Sequence, residues 1–301
     1  MTERPEAPEL TNPRAERVRS VARLSGRSAR QRQGRFLVEG HGPVTELLAA
    51  AAAPAPRVRV AVEVLYVGPE ADPAYAAAAR AARVPVRTAS DEVLAAMADA
   101  VTPQPVLAVA APVDVELSAV LADSPRTLAV LARVRDPGNA GTVVRAADAS
   151  GADAVVLTTE SVDVHAPKTV RSSAGSLFHV PVVVDVPYAD VVRACRAAGL
   201  ATLATAADAA TDLDDLLDAA ATGQGPLAAP HAWLLGNEAW GLPEADAALA
   251  DARVAVPIHG SAESLNLAMA ATVCLYASAR ARRAVRHHGG DTRRRSPAAG
   301  T

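Results

Sequence analysis

From Thr127 onward the chain repeats one pattern, a short apolar run followed by a helix-length segment, and this alternation restricts the available folds more than any other feature. Strands fit Thr127–Val134, Ala154–Leu157, Val182–Val186, Leu200–Thr205, Ala232–Leu235 and Arg253–Val256. Helices fit Asn139–Ser150, Tyr188–Ala198, Glu244–Ala250 and a long segment from about Leu265 to Val285. Runs such as Ala154–Leu157 and Val182–Val186 are apolar on both faces, as strands buried in a parallel sheet are. Parallel neighbours need crossover connections, and the intervening helices supply them.

The first hundred residues alternate on a smaller scale. Helical periodicity covers Ala15–Leu24, followed by strand Arg35–Val38, helix Val44–Ala53 and strand Val58–Val67. Helix Pro73–Arg83, strand Val84–Arg87, helix Asp91–Ala98 and strand Val106–Ala111 complete a small α/β domain. The chain thus divides into a disordered lead-in (1–13), an α/β domain (14–113) and a Pro- and Asp-containing linker (114–126). A parallel-sheet domain (127–286) and a basic disordered tail (287–301) follow.

Composition removes several functions. Only 3% of residues are aromatic, so the cores are built from Ala, Val and Leu, and no platform of Phe and Tyr can be the main working surface. Two cysteines, Cys195 and Cys274, make neither a disulfide framework nor a structural zinc site. Seven histidines show no ligand spacing beyond the His287-His288 pair, so no catalytic metal is expected. The polar opening Met1-Thr-Glu-Arg-Pro-Glu lacks a signal core, and no apolar run approaches the roughly 18 residues of a membrane span. These features predict a cytoplasmic protein without a membrane partner.

The net charge of -3 conceals an uneven distribution. Eight arginines lie between Arg14 and Arg35 against the single acid Glu16, and seven more lie between Arg280 and Arg295 against Asp291. Basic arms on an otherwise acidic chain fit a polyanionic partner. Charge alone fits a solvated arginine-rich face equally well, because Lys168 is the only lysine and Arg is the default cation.

The common catalytic motifs are missing. Gly40-His-Gly-Pro-Val-Thr45 lacks the third glycine of a dinucleotide fingerprint, and Pro43 removes a backbone N–H from the turn. There is no Walker A sequence and no G-x-S-x-G elbow. Three polar clusters remain, each after a strand. In Arg135-Asp-Pro-Gly-Asn-Ala-Gly-Thr-Val-Val-Arg-Ala-Ala147, Asn139 is placed to cap a helix, Gly141 permits close approach, and Arg145 follows one turn later. A helix start with an arginine suits phosphate, although a turn, a cap and a surface Arg would read the same way. In Leu234-Leu-Gly-Asn-Glu-Ala-Trp-Gly-Leu-Pro243, a flat ligand could lie against Gly236 while Glu238 reaches a polar group. In the third cluster, Val256 to Ala270, Ser264 sits at a cap position ahead of Asn266.

Taken together, in this order, the clusters resemble the three motifs of the SpoU/TrmH family of RNA ribose 2′-O-methyltransferases. They appear as Asn139-x-Gly141-x-x-x-Arg145-x-Ala147, Gly236-Asn-Glu238-x-x-Gly241, and Pro257 through Ser264-Leu-Asn266. Lys168-Thr-Val-Arg-Ser-Ser-Ala-Gly-Ser-Leu-Phe178 resembles the family's R-x-S-x-G-x-x-F segment, and Arg27 to Gly40 resembles its substrate-binding extension. The resemblance implies an α/β fold whose C-terminal parallel-sheet domain carries a deep trefoil knot, an exception to unknotted topology. It also implies S-adenosylmethionine as methyl donor, no metal, a homodimer in which Arg145 meets the partner's donor site, and an RNA partner, with ribosomal RNA favoured over transfer RNA. On this resemblance the catalytic set is Arg145, Asn139, Glu238, Ser264 and Asn266. Thr205, Gly236, Val256 and Leu265 hold the donor, and Arg27, Arg30, Arg32, Arg35 and Arg171 contact RNA. The alternatives are a transfer-RNA methyltransferase, a non-catalytic RNA binder on the same fold, and a nucleotide-cofactor oxidoreductase on an ordinary doubly wound sheet.

Overall fold

The computed structural model describes residues 9–237 and 240–291. Most of the expected lead-in, the last ten residues of the tail, and Glu238 lie outside the described residues. In chain order the elements are α1 (Glu16–Ala22), α2 (Arg27–Gln33), β1 (Phe36–Glu39), α3 (His41–Ala52), β2 (Val62–Val67), α4 (Pro73–Ala81), β3 (Val86–Thr88), α5 (Asp91–Met97) and β4 (Val106–Ala110). They continue with α6 (Leu117–Ala122), β5 (Thr127–Leu131), α7 (Pro137–Ser150), β6 (Ala154–Thr158), α8 (Pro167–Ser173), β7 (Val182–Val186), α9 (Tyr188–Ala197) and β8 (Ala201–Thr205). The remainder are β9 (Thr211–Asp212), α10 (Leu213–Ala221), β10 (His231–Leu235), α11 (Glu244–Ala247), β11 (Ala252–Ala255) and α12 (Leu267–Asp291).

The chain forms two compact units, neither of them continuous in sequence. The first takes residues 1–114, 136–145 and 162–182, and the second takes 115–135, 146–161 and 183–301. The first unit contains a four-stranded sheet in the order β1-β4-β2-β3. There β4 runs antiparallel to both β1 and β2, and β3 lies parallel to β2. One face of this sheet buries Leu37, Tyr66, Leu107 and Val109 with Val18 and Val21 of α1 and Val93 and Leu94 of α5. α5 starts cleanly because the Ser90 side chain accepts the backbone N–H of Val93.

The second unit contains a seven-stranded sheet, β7-β6-β5-β10-β8-β11-β9. The pairs β5–β6, β5–β10, β10–β8, β8–β11 and β11–β9 are all parallel. Both faces of the central strands are buried, as their two-sided apolar character requires. Leu128, Val130, Val156 and Leu234 turn to one side, where Val191, Val192 and Cys195 of α9 meet them. The stretch expected as a linker contains α6, and its Leu117 and Val120 belong to the same core. Their i, i+3 spacing is the helical signal that the surrounding Pro and Asp residues obscure.

Other boundaries shifted for physical reasons. β2 begins at Val62 rather than Val58, because its pairing with β4 starts at Val62. α3 begins at His41, directly after Gly40, whose φ of 96° reverses the chain there. α10 was hidden within an acidic run, yet Leu213, Leu216 and Ala220 bury one face, and the Asp212 carboxylate caps it by accepting the N–H of Asp215. α12 continues to Asp291, beyond the expected domain end at residue 286.

α12 is tied to the sheet by a buried polar chain. Trp233 Nε1–H donates to Ser278 Oγ at 2.8 Å, and His231 Nε2 lies 2.7 Å from the same oxygen. The Ala229 carbonyl can only accept, so His231 Nδ1 carries a proton and donates to it at 2.8 Å. Burial, with Arg282 and Arg126 adding to it, pushes this imidazole down to about 4. A neutral His in the folded protein contributes stability that is complete above the unfolded value of about 6.5 and is lost as the pH falls towards 4. Denaturant midpoints should therefore fall steadily from pH 6.5 to pH 4.5, and His231→Gln should flatten that dependence; an unchanged slope in the variant would remove His231 as its source.

Candidate active site

Three neighbouring parallel strands end along one edge of the seven-stranded sheet, and the expected donor-binding residues follow those ends. The register pairs Leu234 with Ala204 and Thr205 with Val254, so Gly236 after β10, Thr205 at the end of β8 and Val256 after β11 fall on the same edge. Ligands of open α/β sheets bind outside the carboxyl ends of the strands. Thr205 Oγ1 donates to the Leu234 carbonyl at 3.3 Å, and the Ala206 N–H reaches the Val254 carbonyl at 3.0 Å. Val256 and Leu265 line a cavity of about 360 Å³ with Leu213 of α10 and Val273 and Tyr276 of α12.

The turns after these strands are shaped by specific contacts. At Gly236 the chain's own packing also requires a glycine: a Cβ there would lie 2.1 Å from the Gly241 carbonyl carbon and 2.3 Å from the Leu242 nitrogen. The 236–241 turn is closed by paired backbone hydrogen bonds between Asn237 and Gly241 at 2.9 and 2.8 Å. Asn237, 5% exposed, roots it by donating Nδ2–H to the Arg133 carbonyl at 2.7 Å. Ser264 was expected to cap the last helix, but α12 begins at Leu267 and the cap is Asn266, whose Oδ1 accepts the Ala268 N–H at 2.8 Å. Ser264 stands in the exposed loop before it.

The first cluster lies at the start of α7, in the other compact unit. Asp136, not Asn139, caps this helix: its Oδ1 accepts the Asn139 N–H at 2.7 Å, with Pro137 in the first helical position. That backbone hydrogen bond, helped by Lys168 at 3.2 Å, holds the Asp136 carboxyl below its ordinary value. Asn139 therefore sits inside the first turn. Gly141 does allow a close approach, but by the protein. A Cβ at Gly141 would lie 2.0 Å from Ser172 Oγ and 2.4 Å from the Thr169 carbonyl, so α8 occupies the space. Arg145 is exposed on α7, one turn beyond the exposed Thr142.

Of the arginines expected to meet RNA, Arg27 and Arg32 are exposed. Arg30 is not: it is 6% exposed, forks onto Asp163 Oδ2 at 2.9 and 2.7 Å, and donates to the carbonyls of Leu24 and Ser25. Arg35 is held by Glu63 at 2.8 and 2.9 Å. Arg171 pairs with the buried Glu39 and with Asp99. Glu39 accepts the N–H groups of Asp99 and Ala100 as well, so a guanidinium and two amides satisfy its charge. Asp163 lies beside His165, a buried imidazole 4.7 Å from the Phe36 ring that burial keeps neutral. Nothing in the composition separated these arginines from the exposed ones. Among the described residues no group of three or more His, Cys, Asp or Glu is arranged to hold a metal, and no helix is long and apolar enough to cross a membrane.

Comparison with known proteins matches residues 126–276, half the chain, to the SpoU rRNA Methylase family. Residues 15–108 match the MRM3-like substrate binding domain. A 23S rRNA (uridine(2479)-2′-O)-methyltransferase of Streptomyces viridochromogenes is 42% identical over 153 residues, 50% of this chain and 51% of that protein. The 23S rRNA (guanosine(2553)-2′-O)-methyltransferase RlmP of Bacillus subtilis is 34% identical over 189 residues, 62% of this chain and 69% of its own length. The crystal structure of the SpoU methyltransferase AviRb from S. viridochromogenes in complex with the cofactor AdoMet superposes with a TM-score of 0.75 at 31% identity, covering 90% of this chain and 99% of that one. The chain thus spans about half the length of the first of these relatives.

Two substitutions check the packing. Gly141→Ala should destabilise the protein by roughly 1–3 kcal/mol in denaturant titration, since the new methyl meets not only the Ser172 hydroxyl but also the Thr169 carbonyl and the Ser173 nitrogen, backbone atoms that cannot swing aside. Gly42→Ala, whose Cβ would find only a carbonyl at 4.0 Å, should be neutral or stabilising. Arg30→Ala should cost about 3–5 kcal/mol by stranding Asp163, whereas Arg32→Ala should change stability by no more than about 0.5 kcal/mol.

Proposed function

The chain belongs to the SpoU rRNA Methylase family, and from that membership we propose that it transfers a methyl group from S-adenosylmethionine to a ribose 2′-hydroxyl of ribosomal RNA, acting as a homodimer. The observation that carries this reading is the alignment of Thr205, Gly236 and Val256 on three adjacent strand ends, where an open parallel sheet receives its ligand. The residues at that edge fit the donor in kind. Val256 and Leu265 offer apolar walls for an adenosine, and the turns offer backbone N–H and C=O groups for its polar edge. The RlmP and S. viridochromogenes relatives are named for 23S rRNA. The match at residues 15–108 to a substrate-binding domain supports RNA as the partner.

When bound, the donor supplies an electrophilic methyl on its sulfonium sulfur. The chain must then make a ribose hydroxyl nucleophilic, aim it and exclude water. We assign Arg145 to the ribose–phosphate and to the charge that develops on the attacking oxygen. A guanidinium stays protonated in proteins, so Arg145 stabilises an anion and does not remove a proton; an adjacent RNA phosphate accepts it. Ser264, exposed in the 256–266 loop, polarises the hydroxyl region. Asn266 acts through position, because its carboxamide oxygen is committed to the α12 cap. We assign Asn139 and Glu238 to holding Arg145 and the motif loops. The knotted path belongs to the same reading.

The homodimer has support in one surface feature. Met269, Val273 and Tyr276 follow one another at i, i+4, i+7 on α12 and are 60%, 42% and 51% exposed. Such a stripe is suited to a second copy of the helix. In the dimer, Arg145 of one protomer serves the donor site of its partner.

Ribose-methylation mapping of ribosomal and transfer RNA, with and without the gene, tests the proposal. One ribosomal position should lose its methyl on deletion and regain it with the wild type but not with Arg145→Ala. The rate should be flat from pH 7 to 9, since no titrating base is invoked. Loss of a transfer-RNA methyl alone would reassign the substrate, and full rescue by Arg145→Lys would show that a positive charge suffices without the two-pronged geometry of a guanidinium.

A further inference from the structure

The chain has two tryptophans, and the fold treats them oppositely. Trp233 is fully buried in β10, with its indole N–H bonded to Ser278. Trp240 is 56% exposed in a protein with only 3% aromatic residues. A single exposed aromatic is ordinary on a protein surface, so what distinguishes this one is what lies beside it.

Trp240 precedes Gly241, which exchanges paired backbone hydrogen bonds with Asn237, and Asn237 is anchored to the Arg133 carbonyl. The guanidinium carbon of Arg135 lies 5.9 Å from the centre of the indole, within range of a cation–π contact, and Arg135 is itself exposed. A flat apolar face beside a permanent positive charge matches the two repeating parts of a nucleic acid strand, a base that stacks and a phosphate that pairs.

We propose that Trp240, flanked by Arg135, is a stacking platform for an unpaired base of the RNA substrate, with Arg135 drawing in the neighbouring phosphate. This rests on the RNA-methyltransferase reading above. It extends that reading to substrate form: an everted or single-stranded nucleotide, because a base paired within a helix presents no free face. A second copy of the chain could also cover a tryptophan. The uncharged stripe on α12 suits a protein copy, whereas the charge beside Trp240 favours a polyanion.

The buried Trp233 makes Trp240 the accessible fluorophore, so the full-length protein reports on its own platform. The experiment follows tryptophan emission and acrylamide quenching while a short oligoriboadenylate is added at low salt. In the wild type, emission should be quenched on binding and Trp240 should become shielded from acrylamide. Trp240→Phe should bind within about threefold of wild type without that signal, and Trp240→Leu should bind about tenfold or more weakly. Wild-type affinity in Trp240→Leu would overturn the platform. So would a Trp240 already shielded from acrylamide in the RNA-free protein, which would mean that protein covers it, or a wild type that fails to bind the oligonucleotide. Calorimetry with S-adenosylmethionine separates the two proposals. A protein that binds the oligonucleotide through Trp240 but takes no donor keeps the platform and loses the methyltransferase reading.

Discussion

A parallel ladder delivers every strand's carboxyl end to the same edge, and the working parts of the second unit depend on that constraint. β8, β10 and β11 are far apart in sequence, yet their register brings Thr205, Leu235 and Val254 level. The turns that follow are then neighbours without needing contacts designed to bring them together. Their shapes are settled locally. Asn237 and Gly241 close one turn on itself, and Asn266 ends another by capping the longest helix. The sheet supplies placement, and each turn supplies its own closure.

Much of this was legible in the sequence because it depends on period and composition. Two-sided apolar runs mark buried parallel strands, and β5, β6 and β10 are such runs. The elements that escaped notice were those whose signal was diluted. α10 lies among acids, α6 beside Pro125, and α8 within a segment read for its motif and not for its helical spacing. Motif residues were found by type, but their local duties were partly misassigned. Asp136 and Asn266 cap the helices that Asn139 and Ser264 were expected to cap. The Asp-Pro pair could have revealed the first, since proline favours the first helical position and an acid the one before it. Nothing in a linear chain reveals that Gly141 makes room for α8 and not for a ligand.

The arginines show why charge counting has limits here. With one lysine in the chain, the same residue type serves as solvent-facing cation and as internal strut. Arg30 and Arg171 satisfy Asp163 and Glu39, both largely withdrawn from water. Breaking either pair would leave a largely buried carboxylate short of its counter-charge, which costs far more than the intact pair contributes. Arg27 and Arg32, a turn away, have no such duty visible in sequence terms. Burial alone tells the two uses apart.

The division of the chain into interleaved units bears on how it is made. The first unit needs residues 162–182 to complete it, and the second begins at residue 115. During synthesis, the N-terminal sheet therefore emerges well before α8 and the Phe178 segment that finish its packing, and the start of the second unit emerges between them. The first unit's sheet and the core beneath it lie within the first 110 residues, but the unit is complete only when 136–145 and 162–182 have followed. Many contacts span long stretches of chain, which slows folding and leaves apolar sheet faces uncovered for longer. A nascent chain of this topology has reason to depend on chaperones, whatever the final stability of the folded protein.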